Sequence, residues 1–463
     1  MSANLVVCVG QCGVGVGSAL FRSAAREAQA AEPAVSAARA RRRSALFDDG
    51  DGRARAVFVD GDVRPLDALR ADASDAAHLR SANLVAASSG AGRNWAAGYH
   101  APAEFRGRID DAVRCELERC AERVSSITVI RSLDGGTGGG VGSAVLEAAR
   151  LAYPKLFLVD VAVLGGYDAL APYNACLSLQ HAAASNVGRP YSDGLADATI
   201  LRAHAQTAQS LARVASVGAE SARRRAAAVP ATGVASGRVA SGDLERAFAG
   251  DVASVLLPRH ARDATVPFEA GALVAAVAPA RLKLLDVRSA RRRDANAGWP
   301  ALALSLADAM PKATVANEPT RAFAAAAVAR SFTGFDDLEP ALAGLRRRLA
   351  RAPPAHDRPD VDRPRLFEPS TLETSWRAFS HDDGRARGAP RAATPTLGVV
   401  ANLNLAPAIA DELRQRASLM LAARAYLHRY EALGVERDDL AASLDSVADV
   451  VQLYDEAARG ASY

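Results

Sequence analysis

The sequence predicts an α/β fold, with a mostly parallel sheet first, a mixed α+β unit after it and helices at the end. Three observations carry this. Strand-like runs alternate with helical patterns from the start to about residue 220. Two of those runs, Leu5 to Cys8 and Ile127 to Ile130, lead into glycine-rich turns, Val9 to Gly17 and Asp134 to Gly142. From about residue 265 the alternation gives way to a mixed pattern closed by long helical periods. Strands that alternate with helices imply a parallel sheet covered on both faces.

In order, the expected strands are Leu5 to Val9, Ala56 to Val59, Asn83 to Ala86, Ile127 to Ser132 and Leu156 to Leu164. Between them, Asp110 to Val124 places Val113, Leu117 and Cys120 on one helical face. Residues 221–241 hold Ala, Arg, Gly and Val without a period and read as a mobile loop. Beyond them, strands are expected near Ala270 to Val277, Leu282 to Val287 and Leu397 to Asn402. The Pro/Arg/Asp-rich stretches 351–365 and 381–395 read as long loops. Helices from Pro407 to Leu433 and from Arg437 to Ala458 close the chain. The expected units are 1–220, a variable and connecting region 221–264, an α+β unit 265–404, and carboxyl-terminal helices 405–463.

With 463 residues, 49% hydrophobic and 23% charged, the chain has enough apolar material for two or three globular domains. A formal charge of +4 is too mild to imply nucleic acid, and the arginine triplets at 41–43, 223–225, 291–293 and 346–348 lack interleaved aromatics. Cys8, Cys12, Cys115, Cys120 and Cys176 form no Cys-x-x-Cys pair, which points to a reduced compartment. The eight histidines show no metal spacing, and no apolar run reaches membrane-span length. A cytosolic protein without a membrane or nucleic-acid partner is the expectation.

A strand that ends in glycines and opens a helix leaves bare N–H groups and the positive helix end facing an anion. Two such turns on neighbouring strands suggest a phosphate chain. A Walker-type loop is excluded, because Lys155, Lys283 and Lys312 are the chain's lysines and none lies in a glycine turn. The dinucleotide spacing fails as well: Gly13 and Gly15 are followed by Ser18, and Gly136 and Gly138 by Val141. Asp60, ending its strand, keeps a dinucleotide oxidoreductase open as an alternative.

Gly10-Gln11-Cys12-Gly13 with Phe21, Val59-Asp60, Asn94 to Tyr99, Gly135 to Gly140 and Pro172-Tyr173-Asn174 come in an order and spacing that resemble the tubulin superfamily. Arg53 to Asp60, Ala423 to Tyr430, Gly434-Val435-Glu436 and Val447 to Val451 resemble delta-tubulin most. The end at Tyr463, without a long acidic tail, fits that choice, while much of 185–400 matches no subfamily. The resemblance implies GTP/GDP with Mg2+ as cofactors and other tubulins as partners through longitudinal contacts. It implies the cytoskeleton as location, at centriolar or basal-body microtubules and cilia, with a structural role and weak or absent hydrolysis. A polymer-forming GTPase and a scaffold that has lost its nucleotide stand as alternatives.

The resemblance also assigns residues. Gly10, Gln11 and Cys12 would touch the nucleotide from the first turn, and Gly135, Gly136, Thr137 and Gly138 would form the main phosphate loop, with Ser132 just before it. Ala91, Gly92 and Arg93 would meet the terminal phosphate, Arg93 adding a charge-assisted contact. Asp62 is the metal candidate, its plain reading being a turn aspartate. Asp134 is awkward, since a carboxylate near phosphates repels them unless turned away or bridged by a metal.

Asp168 stands beside the ribose-side positions Tyr167 and Ala171. The base-reading positions fall on Gly194, by ungapped extension, and on Glu245, where a carboxylate can accept from guanine N1–H and its amine. Ser241 takes the stacking position. Counting back from Pro258 puts Asp251 where an acidic loop–helix residue would act in trans on a neighbour's nucleotide; a helix N-cap is its plain reading.

Overall fold

The computed structural model describes residues 3–31, 36–41, 46–119, 124–165, 168–183, 194–205, 241–256, 270–278, 281–291, 298–311, 314–315, 320, 322–330, 337–349 and 396–458. The expected loop 221–240, the stretches 351–365 and 381–395, Tyr167 and Cys120 lie outside the described residues.

Among the described residues nine strands form one hydrogen-bonded sheet: β1 (Ala3–Val9), β2 (Ala56–Asp60), β3 (Leu84–Ala86), β4 (Val124–Ser132), β5 (Phe157–Leu164), β6 (Ala198–Ala203), β7 (Leu284–Arg291), β8 (Ala322–Arg330) and β9 (Thr396–Leu403). Their order is β3-β2-β1-β4-β5-β6-β7-β9-β8. From β3 to β7 every pair is parallel, and β9 joins β7 and β8 antiparallel. The fold is therefore α/β on a mostly parallel sheet, as the alternation predicts. The α+β part is not detached from it, because β7 continues the sheet through Thr199↔Leu284 and Ile200↔Leu285.

β1 and β5 are buried along nearly their whole lengths and read as near-continuous apolar runs, while β4 is buried from Ser126 to Arg131. The helix Gly10–Ala31 leaves β1 directly and packs on one face beside the helix Ser241–Leu256. Helices Ala103–Glu118 and Gly142–Ala152 cover the other face of the amino-terminal strands. Leu405–Ala422 and Arg437–Ala458 pack on the helix Ala171–Ala182.

Three expectations need correction. The expected strand Ala270 to Val277 is a helix. An eight-residue apolar run carries no periodic signal to separate strand from buried helix, and its alanines favour the helix. The expected helix Pro407 to Leu433 stops at Ala422 and resumes as a single turn, His428–Glu431. Between them Arg424 and Tyr426 take positive φ, 52° and 58°, where a right-handed helix cannot run through. Finally, two strands are unexpected: β8, whose run of alanines carries no strand preference, and β6, whose Thr199-Ile200-Leu201 run is only three residues long.

Two buried charge networks tie the sheet to its helices. In the first, Arg131 on β4 is fully buried and meets Asp160 on β5 in a fork, Nε to Oδ1 and Nη2 to Oδ2, both 2.9 Å. Its Nη1 also donates to the Gly139 carbonyl and to Ser143 Oγ, each at 3.1 Å. In the second, Arg202 on β6 pairs with Asp251 (3.2 Å) and Asp286 (3.1 Å), and donates to the Val287 carbonyl. Ser289 Oγ adds a 2.6 Å bond to Asp251 Oδ1. A buried ion left without its partner is costly, about 3–5 kcal/mol.

Asp160→Ala is thus expected to lower the unfolding free energy by about 3–5 kcal/mol in denaturant titrations. Asp251→Ala, at the edge of its network, should cost about 1–3 kcal/mol. A stability equal to that of the parent in either variant would show that the network is not needed.

Candidate nucleotide site

Ligands of open parallel sheets settle outside the carboxyl ends of the strands, where the strand order reverses direction. Here that place lies between β1 and β4, which are neighbours with β2 on one side and β5 on the other. Both glycine turns emerge there. Gly10 follows Val9 with φ of +75°, and a Cβ on it would stand 2.8 Å from Gly138 N. A Cβ on Gly136 would meet Ala91 Cβ and Asn94 N at 2.8 Å, so the loop Ala91–Asn94 lies directly on the second turn. Three loops thus approach one another with no space for side chains between them.

The second turn is a short π-helix, Gly136–Val141, whose N-cap Gly135 supplies no side-chain acceptor. Neither it nor the helix Gly10–Ala31 has an acidic residue in its first turn. First-turn N–H groups without a side-chain acceptor are the usual partners of a bound anion. Ser132 closes β4, and its Oγ would lie 2.6 Å from a Cβ on Gly138, so it lines the same turn. Thr137 Oγ1 comes within 3.1 Å of the Cβ position of Gly61, which brings the β2 end to the cradle.

Asp134 is turned away from this cradle. Its Oδ2 accepts from Gly165 N at 2.7 Å, which diverts one carboxylate oxygen while the charge is still felt at Cys12 and His204. Arg93, with φ of +60°, is exposed and pairs with Asp168 across the mouth, Nη1 to Oδ2 at 3.2 Å. Asp168 Oδ1 also accepts from Leu170 N. The structure therefore brings Arg93 and Asp168 together. Gln11 is exposed at the head of its helix, beside Gly10.

Asp62 caps the helix Val63–Ala71, accepting from Arg64 N, and forms an ion pair with the Arg64 guanidinium. Hydrogen bonding to Arg64 holds its carboxyl down at about 2. Asp60, two residues before it, is buried, and burial pushes its carboxyl up to about 6. Its Oδ1 accepts from Asp62 N at 3.0 Å, while its buried Oδ2 has no hydrogen-bond partner. Among the described residues no three His, Cys, Asp or Glu side chains gather as a metal cluster.

At the opposite end of the cleft, Glu245 reaches the helix Gly10–Ala31, and its Oε2 would sit 2.4 Å from a Cβ on Gly15. Cys12, half-buried nearby, has its thiol pushed well up by burial, then by the charges of Glu245 and Asp134. Glu245 and Cys12 are thus together. Gly194 is not with them: it precedes β6 and so lies at the far end of that strand. The ungapped count fails because residues 184–193 add length before β6. The residue that follows β6 on the cleft side is His204, whose pKa burial lowers against the opposing charge of Asp134. Recognising β6 would have found it.

Asp251 also sits elsewhere than counted. It lies inside the helix Ser241–Leu256, neither at a loop–helix junction nor at an N-cap, and faces Arg202 and Ser289 of its own subunit. Pro258 gave a false anchor, since one unbroken helix carries both Glu245 and Asp251.

Residues missed by sequence reasoning complete the site. Asn174 donates to the carbonyls of Arg93 (2.8 Å) and Asp134 (2.9 Å), joining the two phosphate-side loops. Its place in the Pro172-Tyr173-Asn174 motif was the available signal.

Residues 4–186 match the Tubulin/FtsZ family, GTPase domain. The chain is similar to the tubulin beta-2 chain of Emericella nidulans, 32% identical over 182 residues, which cover 37% of this chain and 40% of that protein. The similarity thus spans well under two thirds of that relative's length. No helix among the described residues is long and apolar enough to cross a membrane. Residues 4–186 are thus similar to a GTPase domain of Tubulin/FtsZ type, and they carry the first five strands of a mostly parallel α/β sheet.

Proposed function

We propose that this chain is a delta-tubulin-like GTP-binding cytoskeletal protein. In this reading it acts structurally at centrioles, basal bodies and cilia, meets other tubulins through longitudinal contacts, and hydrolyses GTP weakly or not at all. The observation that carries nucleotide binding is the close approach of Gly10 to Gly138 and of Gly136 to Ala91 at the β1/β4 switch point. Glycine turns packed backbone against backbone, with no acidic side chain in the first helical turns, suit the approach of a diphosphate or triphosphate to bare amides. The subfamily and its location rest on the likeness of Arg53 to Asp60 and of the carboxyl-terminal stretches.

Gly10, Gln11, Gly135, Gly136, Thr137 and Gly138 would hold the phosphates, with Ser132 supporting the turn. Ala91, Gly92 and Arg93 would face the terminal one. Cys12, Glu245 and His204 would line the base end, and Asp168 the sugar side. Mg2+ would supply charge neutralisation for the phosphates, and Asp60 Oδ2, the buried oxygen without a hydrogen-bond partner, fits the edge of its hydration shell. Asp62 stands at the rim with its charge already shared with Arg64. With Asp251 engaged by Arg202 and Ser289 of its own subunit, this reading assigns no acid to act in trans, which supports weak hydrolysis.

Purified protein, denatured and assayed for released nucleotide, is expected to yield GTP or GDP. Labelled GTP should bind in near-stoichiometric amount, and ATP and NAD should not. NAD uptake without GTP uptake would sink the proposal. Gly10→Val should abolish GTP binding by driving the first turn off the Gly138 backbone. Asp60 offers a pH test. Its folded pKa of about 6 lies above the ordinary carboxylate value, so its proton favours the fold at low pH and that contribution is lost as pH rises from about 4 to 6. Without Mg2+, Asp60→Asn should flatten that part of the stability–pH profile; an unchanged profile would remove Asp60 from the account.

A further inference from the structure

The loop Ala91–Trp95 is held from behind by the carboxyl-terminal part of the chain. Asn94 Nδ2 donates to the Arg429 carbonyl at 2.8 Å, across 335 residues of sequence. Its Oδ1 meanwhile caps the helix Trp95–Tyr99 by accepting from Ala96 N at 2.8 Å. Tyr430, fully buried, donates its hydroxyl to Asn174 Oδ1 at 2.7 Å. The same oxygen accepts from Trp95 N at 2.9 Å. With its two donations to Arg93 and Asp134, Asn174 uses every hydrogen-bonding position an amide has. It joins the terminal-phosphate loop, the second glycine turn and the carboxyl-terminal turn in one buried network.

Both ends of this linkage store backbone strain. Among the described residues, four non-glycine residues have positive φ, and three of them are Arg93, Arg424 and Tyr426. Arg93 belongs to the loop and the other two to the connection leading to Arg429 and Tyr430. Such conformations persist where surrounding contacts over-determine them. Coupled loops held this way have an alternative once the contacts loosen, and a ligand that favours one arrangement shifts the other.

We propose that Tyr430 and Asn94 are positioning residues for the terminal-phosphate loop, and that through them the connection Ala423–Leu427 reports which nucleotide is bound. The proposal rests on the nucleotide reading above and adds the carboxyl-terminal helices to the site. Binding of a triphosphate draws on Ala91–Arg93, whereas a diphosphate leaves that loop without a ligand. The difference reaches Arg429 through Asn94 and Tyr430 through Asn174. The surface that changes includes Tyr426, which is 44% exposed.

The test is amide hydrogen exchange over 424–430 in the full chain, loaded with Mg2+ and either GDP or a non-hydrolysable GTP analogue. The amides of Ala425, Arg429 and Tyr430 donate to the carbonyls of Met420, Tyr426 and Leu427 and give readable protection. In the parent protein, exchange there should be several-fold slower with the triphosphate. Tyr430→Phe removes the hydroxyl and leaves Asn174 Oδ1 paired with Trp95. Asn94→Ser keeps a helix cap and loses the reach to Arg429. Each variant should erase the exchange difference and change the ratio of triphosphate to diphosphate affinity roughly fivefold, the scale of ordinary coupling between sites. A purely structural role predicts lower stability with an unchanged ratio, and that result would overturn the proposal. So would identical exchange under both nucleotides when both bind. If neither nucleotide binds, the functional reading itself fails first and takes this coupling with it.

Discussion

The closeness of two strand ends is the constraint on which the site depends. β1 and β4 run side by side, with Val9 opposite Arg131, and each then turns straight into a helical segment. At that separation the backbone of Gly10 nearly touches that of Gly138, and Gly136 touches the loop Ala91–Asn94. Side chains there would push the three loops apart and open the sheet at its centre. Because the amides are bare and fixed by the fold, they present positive ends of dipoles without reorganising when an anion arrives. The scarcity of lysine in this chain therefore costs the cradle nothing.

Holding bare backbone in place needs an anchor, and Arg131 supplies it. Its guanidinium is fully buried, forked onto Asp160 and bonded to the Gly139 carbonyl within the second turn. A buried pair of this kind adds little net stability over apolar residues of the same volume. What it adds is direction: the Gly139 carbonyl in the π-helical turn is fixed by a charge-assisted bond. On the other side, Ser178 Oγ donates to the Leu133 carbonyl at 2.9 Å, so the turn is gripped at both of its ends.

The glycine turns, the order of the amino-terminal strands and the helix Arg437–Ala458 were legible because each has a local signature: glycine spacing, β-branched runs, a sustained helical period. What was not legible has one recurring physical cause. Alanine is common throughout this chain, and it serves in the helix Ala270–Val277 and in the strand Ala322–Arg330 alike. In both, the packing against neighbours decides, and no single-residue preference survives. β6 was hidden by the shortness of its Thr199-Ile200-Leu201 run, so the count from Tyr173 fell on Gly194 before the strand and His204 after it was passed over. Asp251 failed for a different reason. A helix of sixteen residues was cut in two by anchoring on Pro258, and the inward face of that helix cannot be seen without β7 beside it. Asn174 and Tyr430 could not have been paired from sequence at all, since 256 residues separate them.

Charge around the cleft argues for how an anion is admitted. Asp60 and Asp62 follow β2, Asp134 follows β4, Asp168 follows β5, and Glu245 closes the far end. The structure neutralises or diverts several of them: Asp62 to Arg64, Asp168 to Arg93, Asp134 to Gly165 N. Asp60 keeps a buried oxygen without a hydrogen bond, at the β2 end that meets Thr137. A phosphate chain brought next to it unescorted would meet like charge in a medium that screens poorly. A divalent cation reverses that sign, turning the same carboxylate from an obstacle into a partner. Burial raises the Asp60 carboxyl to about 6, and a divalent cation beside it would offset the cost of its charge.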